Sequence, residues 1–534
     1  MLTHSMPKNI SKYTVLITTS GIGSRLGDFS QFTNKSLVVL GGKPAISHII
    51  EKYPKDSEYV ITLGYFGEHI REFLELAYPE RNFRYVDVFP YEGEGSSLAY
   101  SMLCAKEHLQ KPFIFHACDS LILKSSIPMV DSNWVAGYVG KDASNYTSFD
   151  TQRDLVERFN PKGMTNFDFI HIGVVGIFSF NEFWEKLREM ITYDPNNNIL
   201  NDVSVLNELV KKGIEIKVKI FDDWIDIGNS NSLIEAKKVI NDEFNILEKA
   251  NESISFINDS VIKFFSDSKV VSKRVGRIAF LGETVPKLKN STKHFYTYEF
   301  YKGAPMSTVL NPDQITTLLH WTKDTLWSFI PMKEMPEMAS ISENFYFGKS
   351  NDRLEEFTET RMVKDEITMI NNERVPSAKE LILEAKMLLV SELKIGRFHG
   401  DLILDNILIS ELGFKLIDWR EDFGGSSEFG DIYYDLAKLN HSLYINHSLV
   451  LNGDFFIDDD KTEVTCGILR KDVHVKMESN LQNFIEKEKL NWRKVQVLTG
   501  LIWLNMSPLH HHPFDKFLYY YGRYNLWRSL RDIK

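Results

Sequence analysis

Cysteine is scarce: Cys104, Cys118 and Cys466 are the only three in 534 residues. They stand far apart and form no metal-binding spacing, and they fit a reducing cytoplasm. No apolar run reaches the roughly 18 residues needed to span a bilayer. The opening MLTHSMPKNISKYTVLI has no long apolar core before a small-residue cleavage site, so it is not read as a signal peptide. Basic runs are missing as well, and the formal net charge of −11 argues against a nucleic-acid partner. There is no internal repeat and no low-complexity linker. The length calls for two or more domains, and a hydrophobic content of 43% is ample for real cores.

Two sets of motifs stand out. Residues 13–19 are a short apolar, β-branched run that reads as a buried strand entering Ser20-Gly21-Ile22-Gly23-Ser24-Arg25-Leu26. Small residues let a backbone approach phosphates, and successive N–H groups can cradle them. A dinucleotide fingerprint would need a third glycine where Leu26 stands, and a P-loop would need Gly-Lys-Ser/Thr, so neither applies. A tight strand-to-helix turn would explain the loop equally well. Further strands are expected at 59–63, 83–88 and 112–118, with a helix at 68–76. Such alternation predicts an α/β fold, a doubly wound mixed sheet with helices on both faces. The strand at 112–118 ends in Asp119, and Trp224-Ile225-Asp226 carries a second carboxylate. Ligands bind at the carboxyl ends of strands in open α/β sheets, and Mg²⁺ binds through one or two carboxylates plus phosphates. Asp119 and Asp226 are the candidate metal ligands.

The loop at 20–26 is followed by Asn34-Lys35-Ser36-Leu37 and then Gly41-Gly42-Lys43-Pro44. This order resembles the sugar-phosphate nucleotidyltransferases, whose fold is Rossmann-like. Asn34 and Ser36 stand where that family has prolines, and Thr19-Ser20 where it has alanines. The resemblance implies an NTP, with CTP or UTP favoured, held at Gly21, Gly23, Ser24 and Gly95. It implies that Arg25 and Lys35 offset the charge that builds as a substrate phosphate attacks the α-phosphorus. It also places Mg²⁺ on Asp119 and Asp226 and assigns Lys162 to the acceptor phosphate. Here the glutamate that usually precedes this lysine is missing, and the proline lies before it. His171 reads as a core histidine.

The second set lies between Gly396 and Lys438. Asp401 follows His399-Gly400, Asn406 comes five residues later, and Asp418 sits in Leu416-Ile417-Asp418-Trp419. Apolar runs on either side of Gly413 predict a hairpin that sets Asn406 beside Asp418. Phosphoryl transfer needs this set: one carboxylate for the attacking hydroxyl, and an amide with a second carboxylate for Mg²⁺. The Asp-x4-Asn spacing is that of a protein-kinase catalytic loop. With His-Gly-Asp, Ile-Asp-Trp and the trailing Gly430-Asp431-x3-Asp435, the stretch resembles the aminoglycoside phosphotransferase and choline kinase superfamily. That resemblance implies a bilobal α+β protein-kinase-like domain, ATP as donor, Lys263 of a hairpin at 253–265 gripping phosphates, and an adenine site at a hinge strand bearing Glu299. The helix expected at 269–281 is basic and offers Lys263 no glutamate partner; Glu283 at its end is the nearest. Residues 312–393, and the chain after the catalytic stretch, read as helical.

The expected organisation is a nucleotidyltransferase domain at 1–243 and a small-molecule kinase domain at 252–534, separated by a helix from Leu233 to about Ala250. The combined reading is a bifunctional enzyme. The second domain phosphorylates a small sugar, polyol or amino alcohol; the first joins the product to a nucleoside monophosphate, as in surface polysaccharide synthesis. Choline kinase paired with a CTP:phosphocholine cytidylyltransferase follows the same logic. A different class, one active half beside a regulatory half, is the alternative. Small molecules and nucleotides are the expected partners, with self-association open.

Overall fold

The computed structural model describes residues 13–140, 142–240, 249–331, 333, 335–459 and 463–531. The chain divides into two compact units: Met1–Val271 with Lys289–Tyr298, and Ser272–Leu288 with Glu299–Lys534.

The first unit is mixed α/β. Its nine-stranded sheet runs, edge to edge, Asn82–Asp87, Glu58–Leu63, Thr14–Thr18, Phe113–Ala117, Phe169–Ile177, Trp134–Tyr138, Lys217–Ile220, Leu155–Asn160 and Ser148–Gln152. The first four of these are parallel, and Phe169–Ile177 then enters antiparallel. Side chains along a strand alternate between faces. Val15, Ile17, Tyr59 and Ile61 join one core, and Leu16 and Val60 join another. Helices Ala45–Ile50 and Gly67–Ala77 pack into the first core; Leu98–Cys104, Phe180–Tyr193 and Asp202–Lys211 pack into the second. His171 is buried and meets Asp202 at 2.9 Å, tying the long strand to the start of helix Asp202–Lys211.

The division differs from the expected one. Hairpin strands Glu252–Ile257 and Ser260–Phe265 form where the Asn258-Asp259 turn predicts, with Asn258 left-handed at φ 53°. Yet Ile257, Ile262, Phe264 and Phe295 belong to the first core. The backbone of Phe256 bonds Gly42, and Glu72 accepts bonds from the Thr292 hydroxyl and the His294 N–H. The apolar face of the hairpin thus completes a core begun some 200 residues earlier, and the chain crosses between units three times. The helix expected from Leu233 is Ser230–Val239, capped by the Asn229 side chain; its further reach toward Ala250 lies outside the described residues.

The second unit is mainly helical, built on Pro312–Thr325, Ala378–Ser391, Ile432–Tyr444, Asp472–Lys487, Trp492–Met506 and Phe514–Leu530. The predicted hairpin is present, Ile407–Ser410 against Gly413–Leu416, with Ile407 opposite Leu416. Two regions read as helical are partly strand. Thr368–Ile370 and Glu373–Val375 form a hairpin across Asn371-Asn372, both left-handed, and Phe455–Asp458 pairs with Glu463–Ile468 in the same small sheet. Asparagine tolerates left-handed backbone, so this turn outweighs the helical character of its flanks. No helix among the described residues is long and apolar enough to cross a membrane.

Two measurements test this architecture. Phe264 is 3% exposed and meets Phe295 at 5.0 Å between ring centroids. Truncating it to alanine should lower the stability of the first unit by about 3–5 kcal/mol in denaturant unfolding. A loss below about 0.5 kcal/mol, the scale of an exposed site, would contradict a shared core. The second concerns His116, wholly buried between Tyr53 and Ser120, with ring nitrogens 2.8 Å from the Tyr53 hydroxyl and 2.9 Å from the Ser120 carbonyl. Burial holds its pKa down, to about 4. The folded form therefore resists a proton that the unfolded chain accepts near pH 6.5. Stability from the neutral ring is complete above that value and is lost as pH falls toward 4. At pH 5 the loss approaches about 2 kcal/mol, and H116Q should flatten the stability–pH curve by that amount. Parallel curves for the two proteins would show that His116 is not held neutral.

Candidate functional sites

In the first unit the glycine loop leaves strand Thr14–Thr18. Gly23 has φ 73°, and a Cβ there would lie 3.0 Å from Lys35 Cβ. Glycine is needed for both reasons, the left-handed backbone and the close approach of Lys35. Gly21 and Ser24 are respectively open and exposed in the same loop. The residues that replace the family's prolines and alanines are structural. Asn34 is fully buried; its amide donates to the Thr19 carbonyl at 2.8 Å and the Tyr65 carbonyl at 2.7 Å, and its oxygen accepts from the Ser36 N–H and hydroxyl. Thr19 and Ser20 bond Thr62 and Ser101. Side-chain hydrogen bonds here fix what a proline ring would fix by covalent restraint.

Asp119 and Asp226 meet because strand Trp224–Asp226 pairs antiparallel with Ser120–Ile122, setting Asp226 opposite Ser120. Lys35 Nζ lies 2.8 Å from Asp119 Oδ2. A Cβ added to Gly228 would lie 3.1 Å from Asp226 Oδ1, 3.4 Å from Asp119 Oδ2 and 3.7 Å from Arg25 Nη2. Two carboxylates and two cations thus converge on one small space. Burial raises the carboxyl of Asp119, but Lys35 and then Arg25 outweigh it and hold the group below the usual range. Burial would lower Lys35, but Asp119 outweighs it and keeps the ammonium charged. Asp226 is pushed up, by burial first and by the Asp119 charge as well. Tyr146 donates to Asp226 at 3.1 Å, and the Gly228 N–H at 3.2 Å. Nothing in the sequence marks Tyr146.

The remaining first-unit candidates stand apart from this group. Gly95 is left-handed at φ 81°, and its N–H donates to Asn198 at 3.3 Å. Lys162 is exposed on a turn, and no hydrogen bond or ion pair among the described residues joins it to the Asp119 group. Lys263, the phosphate-gripping candidate of the second set, is buried on strand Ser260–Phe265 of the first unit.

In the second unit Asn406 and Asp401 are joined. The Asn406 amide donates to the Asp401 carbonyl at 2.9 Å and to its carboxylate at 3.3 Å. The hairpin register brings Ile417 against Asn406, their backbones bonded at 2.9 Å, and so sets Asp418 beside it. Asp418 is left-handed at φ 58°, a conformation that aspartate and asparagine adopt more readily than other side chains. Arg274 stands 3.6 Å from Asp418 and 3.7 Å from Glu421. Lys438 Nζ meets Asp401 Oδ1 at 2.7 Å. Burial raises Asp401, but Lys438 with His399 and Arg420 outweighs it and brings its pKa to about 2. Glu299 is exposed on the wall of a cavity of about 650 Å³ that also includes Glu283, Phe300, Tyr301 and Lys415.

The helix Ser268–Leu281 supplies no glutamate; its second-unit part offers arginines to the loops that carry Asp401 and Asp418. Arg277 is wholly buried, and its guanidinium donates to the carbonyls of Phe398, His399, Arg420 and Ser427. Asp435 accepts from the N–H groups of His399 and Gly400 and from Trp327, and Asp431 pairs with buried Lys494 at 3.0 Å. Sequence reasoning gave Asp431 and Asp435 only as a trailing motif; Asp435 holds the backbone just before Asp401, and Asp431 accepts from the Lys394 N–H at the start of that segment. Among the described residues no group of three or more His, Cys, Asp or Glu could hold a metal ion.

No family model matches the chain, and no curated protein matches it. Solved structures match its N-terminal region. The CTP:phosphocholine cytidylyltransferase of Streptococcus pneumoniae is 16% identical over 43% of this chain and 100% of its own, with a TM-score of 0.38. A putative glucose-1-phosphate thymidylyltransferase of Bacillus anthracis is 17% identical over 45% and 98%, at 0.38. The inositol-1-phosphate CTP transferase of T. maritima is 15% identical over 42% and 95%, at 0.34.

Replacing Arg277 by alanine strands buried carbonyl groups, each costing about 1–3 kcal/mol. R277A should lower the unfolding midpoint of the second unit well beyond K273A, which removes an exposed ion pair with Asp422 worth at most about 1 kcal/mol. Equal midpoints for the two variants would remove Arg277 from the role of loop anchor.

Proposed function

We propose that the first unit transfers a nucleoside monophosphate from an NTP, CTP or UTP, to a small phosphorylated acceptor, and that the second phosphorylates a small hydroxyl compound with ATP. The observation that carries the first assignment is the convergence of Asp119, Asp226, Arg25 and Lys35 around Gly228. In this reading an oxygen of the acceptor phosphate attacks the α-phosphorus and pyrophosphate leaves. Arg25 and Lys35 offset the charge that grows on the α-phosphate. Lys35 does so as a permanent cation, because Asp119 keeps it protonated. The carboxylate pair fits Mg²⁺: two like charges share one small space, and the acid least offset by cations, Asp226, is pushed toward its neutral form. When bound there, the ion supplies positive charge beside the phosphates.

For the second unit, support comes from the joined Asp401 and Asn406 with Asp418 beside them. At a pKa of about 2, Asp401 is ionised at neutral pH yet a feeble base. Its role is to orient the attacking hydroxyl and accept its proton as the bond to phosphorus forms. Asn406 holds the carboxylate in place and, with Asp418, would take Mg²⁺. The phosphomonoester made by the second unit is the class of compound the first consumes, so the steps run in sequence to a nucleotide-activated metabolite of the kind used for surface polysaccharide.

The decisive experiment supplies the full chain with ATP, Mg²⁺, one further NTP and a panel of hydroxyl compounds, and follows pyrophosphate and the nucleotide-linked product. D401N should cut phosphorylation by about 10²–10⁴-fold, and the phosphorylated acceptor should restore product formation. D119N and D226N should each abolish pyrophosphate release while sparing phosphorylation. Full pyrophosphate release by both aspartate variants would refute the first assignment; near-normal phosphorylation by D401N would refute the second.

A further inference from the structure

The surroundings of Asp401 hold more positive charge than the residues there answer. Lys438 is taken by Asp401 at 2.7 Å, and Arg353 by Glu356 at 2.6 Å. Lys349 and Arg420 have no carboxylate partner among the described residues. Both lie over one ring: Arg420 Cζ is 5.1 Å and Lys349 Nζ 5.7 Å from the centroid of buried Phe345. Arg420 also makes one bond, to the Asp422 carbonyl at 3.0 Å. Two further acids lie near: Asp422 is held by Lys273 at 2.6 Å, and Glu421, whose charge also reaches Lys349, faces Arg274 at 3.7 Å. Neither cation is fully exposed to water. Burial and then the charges of Arg420, Lys438 and Arg353 bring the Lys349 amine down to about 8. Like charges gathered on one apolar ring, partly out of water, call for an anion.

The local backbone supports the same conclusion. Glu337–Glu343 and Lys349–Arg361 are joined through a π-helical turn at Asn344–Gly348, which carries Phe345 and ends at Lys349. Single π turns inside α-helices are frequent at functional sites. Arg420 follows Asp418 by two residues, and its Cβ would lie 2.6 Å from a Cβ on Gly400. The cations thus sit beside the segments of Asp401 and Asp418 rather than on a remote surface.

We infer that the hydroxyl compound phosphorylated by the second unit carries an anionic group, a carboxylate or phosphate, received by Lys349 and Arg420 over Phe345. This rests on the kinase reading of Asp401 and narrows it. The acceptor is an acidic polyol or hydroxy acid rather than an amino alcohol: the ring face that could stack against a quaternary ammonium is already covered by the protein's own cations.

The test follows ATP consumption by the full chain with Mg²⁺ over three panels: hydroxycarboxylates and phosphorylated polyols, neutral sugars and polyols, and amino alcohols including choline. Turnover should be confined to the anionic panel. With its best member, K349Q and R420Q should each raise the acceptor KM by about tenfold or more while leaving the ATP KM within about twofold, since a charge-assisted bond is worth about 1.5–3 kcal/mol. A best substrate that is neutral or cationic overturns the inference alone, as does a rise in the ATP KM in place of the acceptor KM. Turnover in no panel, with wild type equal to D401N, overturns the kinase reading beneath it. As a readout apart from turnover, inorganic phosphate should slow acetylation of Lys349 at pH 8 and tetramethylammonium should not; equal labelling with both overturns the anion site.

Discussion

Arg277 is a wholly buried guanidinium whose hydrogen bonds, among the described residues, go to backbone carbonyls, and the loops of Asp401 and Asp418 are arranged around it. Burial pushes its pKa down to about 10, so it remains a cation at neutral pH. Its charge is met by carbonyl oxygens of two separate segments, Phe398-His399 and Arg420 with Ser427. These segments carry Asp401 at one end and Asp418 near the other. A guanidinium has five donors in a fixed plane, so four carbonyls can be satisfied only in one mutual arrangement. That arrangement sets the loop bearing Asp401 against the loop bearing Asp418. Asp435 performs the complementary task, accepting from the His399 and Gly400 N–H groups. The loop before Asp401 is thus clamped through its backbone, which leaves the side chain of Asp401 to Asn406 and Lys438.

The first unit meets the same difficulty with a different solution. Its acids and cations are in direct contact, and the balance is uneven by design of the strand pairing. Asp119 has Lys35 at bonding distance; Asp226 has neutral partners, the Tyr146 and Ser232 hydroxyls, the Gly228 N–H and the Asn229 amide. The result is one acid held firmly ionised beside another pushed toward neutrality. A divalent ion would relieve that imbalance, and the phosphates it brings would then draw on Arg25 and Lys35. In both units cations are gathered beside the candidate carboxylates: Lys35 and Arg25 by Asp119, and Lys438 by Asp401.

Much of this was legible in the residues. Strand–helix alternation marked a sheet covered on both faces, and the apolar run at 112–118 marked the strand Phe113–Ala117 that leads to Asp119. The hairpin around Gly413 was readable because alternation and turn chemistry agree there. Three things were not. The Asn371-Asn372 hairpin is a turn signal inside a segment whose flanks favour helix, and local propensity gives no rule for which prevails. The roles of Arg274 and Arg277 depend on partners more than 120 residues away, so their basic helix looked only like a helix missing a glutamate. And Asn34, a departure from its resembled family, looked like a loss; in place it makes four hydrogen bonds that set the loop around Lys35.

The position of the hairpin at 252–265 explains why a boundary drawn from motifs misses the physical one. Motif sets fall on either side of residue 250, and nothing in the local pattern of Ser-Ile-Ser-Phe-Ile says which core its apolar face will join. A two-stranded ribbon is only marginally stable alone and must be covered. Phe264 and Phe295 find that cover among Phe73, His69 and their neighbours. The apolar face of this ribbon, rather than the motifs beside it, therefore decides where the first unit ends.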